Sequence, residues 1–195
     1  MTMNLQMTTT HPATDPDPAA KVGVLLYDAK AEVDETLAAS IALIRAQGIV
    51  VAGLLQRFGE RLPNGKRSMW VEDIATGQTI RLDRPRGPGA VACMLDPDAL
   101  AQCACLLQRA IASGADLIAV SRFGNAEADG SGMRAEIAEA ICSGAAVLIP
   151  VRFSLLDDLE GFLGSPASLL LPTPMAIADW AENIVVGREA LAERS

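Results

Sequence analysis

The sequence predicts a three-layer α/β fold with a mainly parallel sheet. Two observations lead to this class: half of the 195 residues are hydrophobic, and short apolar runs of strand length alternate with stretches whose apolar residues recur at helical spacing. A chain of this length and composition is expected to form one domain with a substantial core. We expect residues 1–20 to be a disordered polar tail, residues 21–172 to form the α/β domain, and residues 173–195 to add a C-terminal helix and tail.

The opening of the domain is predicted to be a β-α-β unit. Residues 22–27 (VGVLLY) and 49–55 (IVVAGLL) are apolar runs typical of buried strands. Between them, a helix over residues 33–47 places Val33, Leu37 and Ile41 on one face, and Gly48 ends it. A right-handed crossover should make the two strands parallel.

A β-hairpin is predicted as an insertion after the second strand. Residues 69–74 and 78–82 flank a turn at 75–77, and the prolines and glycines of residues 83–89 prevent regular structure in the connection that follows. Residues 57–86 contain seven cations and four acids, although the whole chain has a net charge of −8. Two interpretations are open: a solvated hairpin, or a flap that faces an anion.

The second half of the chain continues the alternation of strands and helices. Asp96 followed by Pro97 predicts the capped start of a helix, so Asp96 is interpreted as a cap and not as a catalyst. The further elements expected are strands at 116–120, 146–151 and 168–171 and helices at 132–143, 155–163 and 174–186.

The loop after residues 116–120 is the predicted ligand site. In a parallel α/β sheet, ligands bind outside the carboxyl ends of the strands, and free N–H groups at the start of a following helix favour an anion. The candidate ligand-binding residues are Gln56, Arg57, Arg122, Glu127, Gly130, Ser131, Gly132 and Arg134. In the alternative interpretation, Arg122 and Arg134 order the loop by pairing with Glu127, Asp129 or Glu136. Glu127 would then satisfy local backbone amides instead of binding a cation or acting as a base.

Composition argues against several classes of protein. The net charge of −8 disfavours general nucleic-acid binding, since phosphate contacts need clustered cations. The sequence contains no uninterrupted run of about 18 apolar residues, so a membrane span is not expected. His11, the one histidine, lies in the predicted tail, so no histidine triad or histidine metal site is expected in the domain. Without a secretory signal, a cytoplasmic protein with reduced, buried thiols is expected, at Cys93, Cys103, Cys105 and Cys142.

Four spaced segments together resemble one known family. They are residues 51–57 (VAGLLQR), residues 71–77 (VEDIATG), residues 93–96 (CMLD), and the Arg122-Phe123-Gly124 loop with Glu127, Gly130, Gly132 and Arg134. Over about residues 21–165 the chain is similar to an uncharacterised bacterial domain family that is itself similar to P-loop nucleoside triphosphatases. Some members are associated with molybdate-uptake genes. The family usually has Asn-Lys where this chain has Ser121-Arg122, which keeps the charge but changes its geometry.

Because of this resemblance, the loop after the first strand is the test of whether the chain can hydrolyse a nucleoside triphosphate. A phosphate loop (Walker A) needs glycines, a lysine for the β and γ phosphates, and Ser or Thr for magnesium. With Thr36 in the last position, Ala29 and Asp34 replace the glycines and Glu35 replaces the lysine. We therefore expect a non-hydrolytic domain that binds a small anion or a nucleotide, with no catalytic residue or cofactor assigned. The alternatives are a divergent nucleoside triphosphatase and a regulatory module that binds a protein through the C-terminal helix with Trp180.

Overall fold

A computed structural model describes residues 18–28, 33–62, 65, 67–84 and 94–192 of the chain. Within these ranges the strands are β1 (Val22–Tyr27), β2 (Val51–Arg61), β3 (Arg67–Asp73), β4 (Thr79–Arg81), β5 (Asp83–Arg84), β6 (Met94–Leu95), β7 (Leu117–Ala119), β8 (Ala146–Arg152) and β9 (Ser168–Leu170). The α-helices are α1 (Val33–Ala46), α2 (Pro97–Ala112), α3 (Asn125–Ala128), α4 (Arg134–Cys142), α5 (Leu156–Leu163) and α6 (Pro174–Ala192). Short 3₁₀ helices lie at Pro18–Lys21 and Phe153–Leu155.

Seven strands form one sheet in the order β4-β3-β2-β7-β8-β1-β9. β1 is parallel to β8 and β9, and β7 is parallel to β2 and β8. The hairpin strands β3 and β4 extend this sheet in antiparallel pairing beyond β2. The predicted mainly parallel sheet with an inserted hairpin is therefore confirmed, and the carboxyl ends of β1, β7 and β8 meet at one edge.

Apolar side chains cover both faces of the sheet. Val22 and Val24 of β1 contribute to the core layer under α2, α4 and α5, whereas Leu25 and Tyr27 contribute to the layer under α1 and α6. This alternation follows from the two-residue period of a strand. Two helical layers on one parallel sheet complete the predicted three-layer fold.

β2 is longer than the sequence predicts. The strand expected at 49–55 begins at Val51 and continues to Arg61. Its added residues pair with β3, with Gln56 beside Val71 and Phe58 beside Met69. The polar residues of this extension are held in the sheet by antiparallel pairing with β3, and not by burial on both faces. The extension therefore lacks the apolar periodicity from which a strand is predicted. The short helix α3 inside the glycine-rich loop is likewise absent from the prediction.

Residues near both ends of the described chain pack against the rest of the domain. Pro18–Lys21 form a 3₁₀ helix in which Ala19 is buried, and Lys21 Nζ donates to the Gly144 carbonyl at 3.2 Å. Residues 1–17, including His11, lie outside the described residues. At the other end, α6 belongs to the domain itself, because Ile177 and Ala181 are fully buried in the layer it shares with α1.

The prediction of buried thiols is correct for Cys103 and wrong for Cys105 and Cys142. Cys103 is completely buried on α2, but Cys105 and Cys142 are exposed. Residues two apart on a helix point in nearly opposite directions, so burial of Cys103 places Cys105 toward solvent. Cys93 lies outside the described residues.

In the described part of the chain, no helix combines the length and the apolar character needed to cross a lipid bilayer.

Candidate functional site

Arg122 is the central side chain of a polar cluster at the carboxyl edge of the sheet. Its Nη1 donates to the Tyr27 hydroxyl at 2.7 Å, and its Nη2 donates to both carboxylate oxygens of Asp34 at 2.7 and 2.8 Å. The guanidinium carbon lies 4.7 Å from the centre of the Tyr27 ring and 5.6 Å from the centre of the Phe58 ring. We call Tyr27, Asp34, Phe58 and Arg122 the Arg122 cluster.

The topology brings these four residues together from distant parts of the chain. Tyr27 is the last residue of β1, Arg122 follows β7, and Asp34 lies in the first turn of α1. Phe58 lies in the part of β2 that pairs with β3. Because the sheet is parallel, the ends of β1 and β7 lie at one edge, where strand ends commonly form ligand sites.

The Arg122–Asp34 ion pair is largely shielded from solvent. Their side chains are 18% and 14% exposed, so the pair is stronger than one on an open surface. Arg122 Nε is nevertheless buried without a hydrogen-bond partner among the described residues. A buried donor left unpaired is costly, so this N–H is suited to an acceptor from outside the cluster.

Glu127 organises the glycine-rich loop from within. One carboxylate oxygen accepts from the Gly124 N–H at 2.9 Å, and the other accepts from the Met133 N–H at 3.0 Å. The residue is 6% exposed. Met133 lies in the segment whose free amides were expected to favour an external anion, and here the chain's own carboxylate accepts that N–H. We call residues 124–134 the Glu127 loop.

Arg134 also stabilises the Glu127 loop. Its Nη1 donates to the Glu127 carbonyl at 2.7 Å, and its guanidinium carbon lies 4.3 Å from the centre of the Phe162 ring. Ser131 Oγ donates to the Ala126 carbonyl at 3.0 Å. Gly130 and Gly132 have positive φ angles of 86° and 66°. These contacts hold the loop through a backbone carbonyl and an aromatic ring; ligand binding by these residues stays a prediction.

Arg57 lies apart from the Arg122 cluster. Its Nε donates to Glu72 on β3 at 2.8 Å, and alternation along β2 directs it away from the face on which Phe58 contacts Arg122. Gln56 is buried on the Phe58 side of the strand. Arg122 therefore contacts Tyr27 and Asp34, whereas Arg57 pairs with Glu72.

Arg67 is a cation near the cluster that sequence reasoning does not single out. Its guanidinium carbon lies 5.8 Å from the Phe58 ring, the ring that Arg122 also contacts. Arg67 Nε donates to the Gly59 carbonyl at 3.0 Å. No local motif indicates this position, because it depends on the pairing of β3 with the extension of β2.

Several hairpin cations are engaged in the hairpin itself. Besides Arg57 with Glu72, Arg81 pairs with buried Asp83 at 3.0 Å. Burial opposes ionisation of Asp83, but hydrogen bonds from Arg81 and from the Met69 N–H outweigh it and lower the pKa of its carboxyl. These pairs engage two of the hairpin cations within the fold, and a flap that faces an anion stays a prediction.

Three acids in or near the edges of the sheet accept hydrogen bonds within the fold. Asp34 and Glu127 are both hydrogen-bonded within the fold. Asp116, at the start of β7, accepts from the Val50 N–H at 3.0 Å, at the opposite edge of the sheet. Across residues 18–28, 33–62, 65, 67–84 and 94–192, no group of three His, Cys, Asp or Glu side chains is placed to hold a metal ion.

Comparison with known proteins identifies the family. Residues 22–180 match the family described as "Protein of unknown function (DUF2478)". The chain belongs to the DUF2478 family. This confirms the resemblance inferred from the spaced segments and extends it to include Trp180.

The DUF2478 chain is also similar to a curated protein and to a solved structure. It is 35% identical over 162 residues to "Molybdenum import ATP-binding protein ModC 2" of Bradyrhizobium diazoefficiens, a match that covers 82% of this chain and 18% of that protein. It has a TM-score of 0.57 and 14% identity to the "Solution Structure of a Human Cancer-Related Nucleoside Triphosphatase", covering 86% of this chain and 96% of that one. The second likeness supports the P-loop-NTPase-like fold, and only the fold.

Proposed function

We propose that the chain is a non-hydrolytic, P-loop-NTPase-like domain that binds a small anion or a nucleotide at the carboxyl edge of its sheet. The observation that carries this proposal is the contact between Asp34 and Arg122. Asp34 stands at a glycine position of the phosphate loop, and its carboxylate occupies the cation on which an anion would bind. We further propose that the protein works in the bacterial cytoplasm in connection with molybdate.

The absence of hydrolysis follows from the charges at the start of α1. A phosphate charge held about 4 Å from a carboxylate would be repelled by roughly 4 kcal/mol at an effective dielectric of 20. Asp34 and Glu35 both lie in the first turn of α1, so the usual phosphate pose would meet two carboxylates. Glu127 in this loop is not free to position magnesium and water, since both of its carboxylate oxygens accept backbone N–H groups.

Anion binding is supported by the donors that the edge of the sheet provides. Arg122 keeps one buried N–H without a partner among the described residues, and Tyr27 places a hydroxyl beside it. Arg67 adds a second guanidinium, whose carbon lies 5.8 Å from the centre of the Phe58 ring. Charged donors of this kind bind oxyanions through short hydrogen bonds.

The connection with molybdate is supported by the similarity to ModC 2, whose name specifies molybdenum import. The chain spans 18% of the length of that relative, so the ATP-binding activity in the name does not transfer with the match. We propose instead that the DUF2478 domain accompanies such an importer and senses its oxyanion or its nucleotide.

A thermal-shift screen tests the proposal. Purified protein is heated with molybdate, tungstate, sulfate, phosphate, ATP or GTP, because a ligand of the native state raises the melting temperature by mass action. Arg122→Gln should abolish the shift and Arg122→Lys should retain part of it. Arg109→Gln, an exposed arginine on α2, is the matched control. No shift with any compound would overturn the proposal.

The two alternatives make different predictions in simple assays. A divergent nucleoside triphosphatase would release phosphate from ATP in the presence of magnesium. A protein-interaction module built on α6 would need an available apolar face, but Trp180 packs against the core and its ring lies where a side chain on Gly23 would be. The buried face of α6 disfavours the second alternative.

A further inference from the structure

Asp34 occupies the anion-binding position of Arg122. Its two carboxylate oxygens both accept from Nη2 at 2.7 and 2.8 Å, so Asp34 engages one nitrogen of the guanidinium and leaves unused the two-nitrogen fork that an oxyanion can bind. The pair is held at low solvent exposure between α1 and the end of β7. An external anion can bind Nη2 of Arg122 only if this carboxylate moves away.

We propose that Asp34 is a built-in competitor that selects tetrahedral dianions over monoanions at Arg122. This inference rests on the proposed anion-binding function and names the residue that sets its selectivity. A carboxylate is a monoanion with two oxygens, so another monoanion gains nothing by replacing it. A tetrahedral dianion carries more charge and has further oxygens for donors that Asp34 leaves unused.

Two donors in the cluster fit those further oxygens. Arg122 Nε is buried without a partner among the described residues, and the Tyr27 hydroxyl, which accepts from Arg122 Nη1 at 2.7 Å, has its own proton to donate. The rings of Tyr27 and Phe58 on the guanidinium hold its orientation. A dianion that displaces Asp34 therefore satisfies a donor that the carboxylate does not reach.

The test uses the single tyrosine of the chain as a reporter. Tyrosine labelled with ¹³C only at ring carbon Cζ gives one NMR signal, from Tyr27, which contacts Arg122. Full-length protein is titrated with molybdate, sulfate, nitrate and chloride. We expect molybdate and sulfate to shift the signal at concentrations at which nitrate and chloride do not.

Asp34→Asn is the decisive variant, because it keeps the size of the side chain and removes its charge. We expect half-saturation by sulfate or molybdate at a concentration about tenfold lower than for the wild type, and we expect nitrate to bind as well, since the competitor is neutral. Glu139→Gln, which removes one exposed acid in the second half of α4, is the matched control and should titrate like the wild type.

The outcomes separate this inference from the proposed function. Equal half-saturation in wild type and Asp34→Asn would overturn the competitor and leave anion binding intact. Binding by Asp34→Asn alone would support the competitor and overturn the proposed function, and no binding by either would overturn both. If Asp34→Asn does not fold, the Arg122 Nε–H resonance of the wild type decides, because an unmoved resonance at saturating molybdate contradicts displacement of Asp34.

Discussion

Gly130 and Gly132 lie in the same loop, and both have positive φ angles, of 86° and 66°. A methyl group on Gly130 would meet no atom within 4 Å, whereas one on Gly132 would collide with Oε1 of Glu127 and lie 3.1 Å from Ala126 Cβ. A left-handed conformation costs a non-glycine residue roughly 1–2 kcal/mol. The collision at Gly132 adds the loss of the hydrogen bonds that Glu127 accepts from the loop.

We therefore predict that Gly130→Ala lowers the free energy of unfolding by about 1 kcal/mol and that Gly132→Ala lowers it by roughly 2–4 kcal/mol. Urea unfolding followed by circular dichroism measures both values. Equal losses in the two variants would show that the Glu127 carboxylate is not the constraint on this loop.

Cys103 and Cys105 should differ in reactivity although they are two residues apart. Burial raises the pKa of the Cys103 thiol to about 11, and the thiolate is the reactive form. We predict that an alkylating reagent at pH 8 modifies Cys105 in the native protein and leaves Cys103 unmodified, as read by peptide mass spectrometry. Labelling in urea is the control, since both thiols should then react.

The raised pKa of the Cys103 thiol also makes the free energy of unfolding depend on pH under alkaline conditions. An unfolded thiol ionises near pH 8.5, below the pKa of about 11 that Cys103 has in the folded protein. The unfolded state therefore loses its proton first, and the contribution of Cys103 to stability declines as the pH rises through this interval. A Cys103→Ala variant should lack that decline.

At the scale of the elements, the pairing of β2 with β7 leaves no room for a side chain at Gly53. Gly53 has a φ angle of 116° and pairs with Ala119, and a Cβ at this position would collide with the Ala119 carbonyl oxygen and lie 2.8 Å from its nitrogen. Backbone atoms of a central strand cannot move aside without breaking the sheet.

We predict that Gly53→Ala costs roughly 4 kcal/mol or more, in the range reserved for severe disruptions of a core. Gly48→Ala is the control, because Gly48 also has a positive φ angle but has no atom within 4 Å of an added Cβ. It should cost only about 1 kcal/mol. A soluble Gly53→Ala protein that melts like Gly48→Ala would contradict the close approach of the strands.

Elements with strong periodicity could be predicted from the sequence, and the contacts of the site could not. The helix of residues 97–112 follows from its Asp96 cap, whose carboxylate accepts from the Asp98 N–H. Arg122 was identifiable as a candidate because it follows a buried strand. The order of the strands in the sheet determines that Asp34 and Tyr27 are its partners. No local sequence pattern specifies that order, so the pairing of Arg122 with Asp34 could not be predicted.

For the molecule as a whole, we predict no release of phosphate from ATP or GTP above background in the presence of magnesium. The carboxylates of Asp34 and Glu35 oppose the phosphates, and Glu127 is committed to backbone N–H groups. Malachite-green detection of phosphate measures this. Restoring glycine at Asp34 and lysine at Glu35 should not create activity, whereas robust turnover that Glu35→Ala abolishes would refute the prediction.

The place of β1 in the sheet also determines when the sheet can be completed. β1 lies between β8 and β9, with Val22 beside Val147 and Gly23 beside Ser168. During synthesis this apolar strand leaves the ribosome long before either neighbour exists, and pairing over such sequence separations is slow. The nascent chain therefore carries this strand unpaired and prone to aggregation until residues 146–170 have been synthesised. Early binding by a chaperone at residues 22–27 would protect the chain until residues 146–170 emerge.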